Sequence, residues 1–104
     1  MKLKVGAKEY EIVHKLELIE VGGELYGKHE YDEAKIYIAN KYPQIIQNET
    51  FLHEMFHAIA EMQDLKDLSS DEHSIQLLAK GLYLVIKDNP HIFTMCDIKG
   101  VKNV

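Results

Sequence analysis

Between Gln44 and Gln63 the chain has neither glycine nor proline, and Pro43 stands immediately in front of that stretch. Apolar residues recur within it at positions 45, 46, 52, 56, 59 and 60, the spacing of one helix face. The pattern predicts a long helix opened by Pro43, which suits a first helical position because no intrahelical partner awaits its missing N–H. A second helix is predicted over Glu72–Lys87, with Ile75, Leu78, Ala79, Leu82, Val85 and Ile86 on one inward stripe. Asp88-Asn89-Pro90 ends it. The polar connector Asp64–Ser70 lies between the two, and Ser69, Ser70 and Asp71 offer capping oxygens to the second helix.

The N-terminal half reads differently. Leu3, Val5, Tyr10 and Ile12 alternate with polar residues around a Gly6-Ala7-Lys8 turn, which fits a β-hairpin. His14–Val21 is open between a longer second strand and a short helix, and Gly22-Gly23 breaks the chain. Residues 24–40 form a second predicted hairpin. In it Leu25, Gly27, His29 and Tyr31 share one face, Tyr26, Lys28 and Glu30 the other, and Asp32-Glu33-Ala34 supplies the turn. In the returning strand Ile36 and Ile38 point one way while Lys35, Tyr37 and Ala39 point the other. The tail His91–Val104 is weakly patterned, open between an added strand and a loose end. The expected fold class is α+β: one domain over 1–104, a small antiparallel or mixed sheet of about three to four strands, packed against two long helices.

Composition narrows the function. The 12 basic residues are all lysine, 17 acids outnumber them, and the net charge is −5. Nucleic-acid binders usually present a basic face with arginine forks, so no nucleic-acid partner is expected. No apolar run reaches the roughly 20 residues of a membrane helix, and no membrane partner is expected either. The first residues, Met1-Lys2-Leu3-Lys4-Val5-Gly6, lack the apolar centre of a signal peptide, and the expected compartment is the cytoplasm. The single Cys96 excludes both an internal disulfide and a CxxC zinc site. No residue pattern points to a particular oligomeric state.

The chemistry concentrates in His53-Glu54-Met55-Phe56-His57, an HExxH inside the first predicted helix. Residues four apart on a helix differ by about 40° in direction and about 6 Å in height, so both imidazoles project from one face and suit a tetrahedral zinc. Glu54 lies about 100° further round, placed to reach a water beside the metal rather than the metal itself. With six histidines and 11 glutamates in 104 residues, chance yields this motif in about 3–4% of such chains.

A catalytic zinc takes three protein ligands. Asp71, Glu72 and His73, at the start of the second helix, are all of ligating type. Periodicity favours Glu72, which shares a face with Ile75, Ala79, Leu82 and Ile86; an inward carboxylate without a partner would be costly. His73 aligns with the solvated Gln76 and Lys80, and Asp71 suits a cap; both stay open as alternatives. Tyr83, three turns on from Glu72, reads as a core tyrosine, with a supporting place beside the site as the alternative. Gly81 reads as a point of close helix approach. His29 and Tyr31 read as solvated strand residues, with a place along a cleft as the alternative, and His14 and His91 as surface residues.

Thr50-Phe51-Leu52-His53-Glu54-Met55-Phe56-His57-Ala58-Ile59 resembles the zinc motif of small metallopeptidases encoded by bacteriophages and prophages. Leu25-Tyr26-Gly27 ahead of a hairpin, and Gly81-Leu82-Tyr83-Leu84-Val85-Ile86-Lys87-Asp88-Asn89, extend the likeness over roughly residues 24–90. Those proteins are minimal zincins of the gluzincin type, distantly similar to the ImmA/IrrE metallopeptidases. The resemblance implies one zinc per chain held by His53, His57 and Glu72, with Glu54 as the catalytic base. His73 departs from the commonest pattern and keeps the alternative third ligand open. It also implies a peptide or unstructured protein as substrate, held against an edge strand for which Lys35–Asn40 is the expected candidate, and a host cytoplasm as the setting. A zinc-stabilised interaction module without turnover is the second expectation.

Overall fold

A computed structural model describes residues 1–92, so the expectations for the tail from Phe93 onward, and for Cys96, lie outside the described residues. Six strands precede the helices: β1 (Lys2–Val5), β2 (Lys8–Lys15), β3 (Leu18–Glu20), β4 (Gly23–Leu25), β5 (Gly27–Glu30) and β6 (Lys35–Ala39). Then come α1 (Gln44–Met62), the short α2 (Lys66–Ser69) and α3 (Glu72–Asp88). The fold class is α+β, with a mixed four-stranded sheet in the order β1-β2-β6-β5 and a separate two-stranded sheet of β3 and β4.

The alternation in the strands decides which sheet face is covered. Pairing sets Leu3 beside Tyr10, Ile12 beside Ile36, and both Gly27–Ile38 and His29–Ile36 across β5 and β6. Side chains two apart share a face, so these residues and Val5 all look the same way. Val5, Tyr10, Ile12, Ile36 and Ile38 close over Ala58 of α1 to make the core. Each fully buried isoleucine there contributes about 1.5–3 kcal/mol. The opposite face is polar, and on it Lys28 pairs with both Glu20 and Glu30. Gly6 turns the first hairpin at φ +62°, a backbone conformation that side-chain-bearing residues rarely adopt.

Several local expectations change. The open stretch after His14 is strand: β2 continues to Lys15 and β3 follows. Pro43 is the N-cap, with the helix beginning one residue later. The connector holds the single-turn α2, and Asp71 caps α3 by accepting from the Ser74 N–H at 3.1 Å. The sheet packs against α1, and α3 packs in turn on α1. Of the predicted α3 stripe only Ile75 and Ala79 are buried; Leu78 and Val85 are 45% and 43% exposed, because among the described residues α3 packs chiefly on α1, with the short α2 beside it. Gly81 is not a close approach: a Cβ there would meet nothing within 4 Å. Among the described residues no helix is long and apolar enough to cross a membrane.

Lys35–Asn40 is not the edge. Parallel pairing of β2 with β6 brings that strand into the sheet interior and, among the described residues, leaves β5 outermost, next to α1. Two strands in parallel register need a long connection, here the excursion through β3, β4 and β5, and hairpin periodicity carries no trace of it.

Candidate metal centre

His53 and His57 stand one turn apart on α1, and Glu72 opens α3 directly opposite them. The Glu72 carboxylate straddles the two rings, with Oε2 3.0 Å from His53 Nε2 and Oε1 2.9 Å from His57 Nε2. The two Nε2 atoms are 3.3 Å apart. Donors about 2.0–2.1 Å from a tetrahedral zinc stand about 3.3 Å from one another, so the spacing of these atoms fits such an ion. Two imidazole nitrogens and one carboxylate, with every ligating atom within 4.8 Å of the others, are the donor set zinc takes in open sites.

Glu72 reaches this position by a different route from the one periodicity suggests. Its side chain is 69% exposed, at the open end of the stripe rather than buried within it. It shares its cleft-facing side of α3 with Gln76, Ala79 and Lys80. The Asp71 cap fixes the first turn from which it projects: Asp71 Oδ2 also accepts from Ser74 Oγ at 2.7 Å, and these bonds hold the Asp71 carboxyl below its ordinary range. Asp71 is thus occupied as a cap, and His73, exposed, is absent from the converging group.

Glu54 lies beside the cluster and is 8% exposed. Burial, reinforced by the nearby Glu72 charge, pushes its carboxyl up to about 8. It still lines the cleft, and among the described residues no side-chain oxygen is both sealed from solvent and without a partner. His57 is equally buried; desolvation lowers its pKa, opposed by the Glu72 carboxylate. A cation here would relieve both strains at once, offsetting the Glu54–Glu72 repulsion and engaging neutral imidazoles.

The cleft has a volume of about 790 Å³ and runs between the end of β4, the edge strand β5, and helices α1 and α3. His29 of β5 lies within it, its ring stacked at 6.4 Å and 8° to that of His57 and its Nε2 3.1 Å from the buried Tyr10 hydroxyl. Desolvation, then the His57 charge, lowers its pKa. The solvated reading of His29 therefore gives way to the cleft alternative, whereas Tyr31 is exposed beneath the Lys8 ammonium. Tyr83 is half-buried and does not line the cleft.

Glu49, Glu61, Ser69 and Gly27 also border the cleft. Glu49 and Glu61 had a readable signal: they lie four residues before His53 and four after His57, on the same face. Gly27 had none, since its role is spatial. A Cβ there would collide with Thr50 Cγ2, lie 2.9 Å from the Tyr37 carbonyl oxygen and 3.5 Å from Glu54 Cγ.

The chain matches no protein-family model, no curated protein and no solved structure.

Proposed function

We propose that the protein is a zinc-dependent metallopeptidase of the HExxH gluzincin type, akin to the minimal zincins of phages that its motifs resemble. One observation carries the reading: His53, His57 and Glu72 converge within ligating distance of a single point, with the buried Glu54 carboxylate alongside in an open cleft. His53, His57 and Glu72 would hold one zinc ion per chain. Bound there, zinc supplies a Lewis acid that polarises a peptide carbonyl and acidifies water.

The chain's own groups do the rest. Glu54, desolvated and not a ligand, accepts a proton from the attacking water and returns it to the leaving amine. The outer edge of β5 offers main-chain pairing to an extended peptide, which gives affinity with little dependence on side chains. Substrates are accordingly peptides or unstructured proteins, and the cytoplasm, that of an infected host cell for a phage product, is the compartment that goes with this reading.

Hydrolysis of casein by zinc-loaded protein tests the reading. Wild-type protein should cleave it, and Glu54→Gln should bind zinc yet lose the activity. Equal cleavage by that variant, or none by wild-type protein, overturns the reading. The burial of Glu54 favours a second reading, a zinc-stabilised interaction module, which predicts zinc binding without turnover in both proteins.

A further inference from the structure

The cleft is charged unevenly along its length. On α1 the residues Glu49, His53, His57 and Glu61 follow one another at intervals of four and all line it. Each acid stands about 6 Å along the axis from the nearer histidine, on opposite sides of the candidate metal centre. Glu72 opens α3 opposite His53 and His57, two turns before α1 ends; to stay packed on α1, α3 must run back toward the N-terminus of α1. That direction carries Gln76 and Lys80 toward Glu49, and both line the cleft. Lys80 therefore lies on the Glu49 side of the cleft, although among the described residues neither it nor Glu49 forms an ion pair. At the other end Glu61 accepts from Ser69 Oγ at 3.3 Å, and among the described residues it has no ion-pair partner.

The edge strand gives the uneven charge a direction. Gly27 abuts Thr50 and Glu54, and His29 stacks on His57, so β5 runs from the middle of α1 toward Glu61. Antiparallel pairing is the more stable and more frequent mode of strand addition. A peptide paired that way lays its N-terminal side past His29 and Glu61 and its C-terminal side toward Tyr26, Glu49 and Lys80.

Resting on the peptidase reading, we infer that Glu61 is a specificity-determining residue, selecting a lysine or arginine on the N-terminal side of the bond to be cut. Attraction of a basic residue and repulsion of an acidic one by the solvent-exposed Glu61 together should favour the basic residue by about tenfold.

The test is to map, by mass spectrometry, the bonds cut in casein by zinc-loaded wild-type, Glu61→Gln, Glu61→Lys and Glu49→Gln proteins. Wild-type cuts should be enriched about tenfold for lysine or arginine within the two residues preceding the scissile bond. Glu61→Gln should flatten that enrichment, Glu61→Lys should turn it toward aspartate and glutamate, and Glu49→Gln should keep it. Cleavage without such enrichment, enrichment only on the C-terminal side, or a preference unchanged in both Glu61 variants overturns this inference and leaves the peptidase reading standing. No cleavage by the wild-type protein overturns the peptidase reading and the inference with it.

Discussion

Glu72 reaches His57 from across the interhelical turn, its Oε1 2.9 Å from the His57 Nε2, although the two residues lie 15 positions apart and on different helices. The other oxygen meets His53 at 3.0 Å, while the adjacent His73 is outside the group. Structural zinc binding free energies of about 10–16 kcal/mol, spread over four ligands, amount to roughly 3 kcal/mol or ~10²-fold per ligand. Glu72→Ala should therefore weaken zinc binding by ~10²-fold in a competition titration with a chelator, and His73→Ala should leave it within about twofold. The reverse order would make His73 the third ligand.

The metal should also support the fold. Zinc that binds only the folded chain, at a free concentration 100 times its Kd, stabilises by about 2.7 kcal/mol. In a domain near 100 residues that corresponds to a rise in Tm of roughly 10–20 °C. Thermal melts of chelator-stripped protein with and without zinc measure it, and His57→Ala should abolish the rise.

The buried Glu54, the base in the proposed reaction, carries a stability cost in the metal-free protein. Its folded-state carboxyl, pushed up to about 8, keeps its proton over a range in which the unfolded chain, titrating near 4.5, has lost it. The folded state then holds the extra proton, so its stability falls as pH rises from about 4.5 to about 8. Glu54→Gln removes that titration. In the presence of chelator the variant should melt higher than wild-type protein at pH 8, by an equivalent of a few kcal/mol, and the gap should close toward pH 5. A gap independent of pH would mean that Glu54 is not desolvated as described.

Gly27 governs how closely the edge strand approaches α1. Any Cβ at that position presses on Thr50, one turn before Glu54 on α1, and on the Tyr37 carbonyl, and comes within 3.5 Å of Glu54 Cγ. Gly27→Ala should cost about 1–3 kcal/mol of stability from overpacking. It should also reduce kcat for casein hydrolysis by more than tenfold through displacement of Glu54, since misplacement by about 1 Å can cost ~10²-fold. Unchanged kcat would separate the edge strand from the catalytic geometry.

What could be read from the residues alone follows the range of the forces involved. Local signals sufficed for α1, with its unbroken run of helix formers, for the paired histidines at intervals of four, and for the Asp71 cap. Glu72 was indicated for a reason the fold does not share: the stripe of Ile75 and Ala79 suggested an inward acid, yet the side chain is largely exposed and gains its partners by facing α1. Leu78 and Val85 misled in the same way, because periodicity marks an apolar face without saying whether anything covers it. The interior position of β6 depends on parallel pairing between strands separated by some twenty residues, and no local rule reaches that far. His29 entered the cleft only because β5 became the edge.

Metal analysis of the purified chain bears most directly on the account. Wild-type protein should carry close to one zinc per chain, or take up that amount after dialysis against zinc, while His53→Ala and His57→Ala should carry almost none under the same treatment. Wild-type protein that holds no zinc and acquires none, or histidine variants that retain a full equivalent, would contradict it.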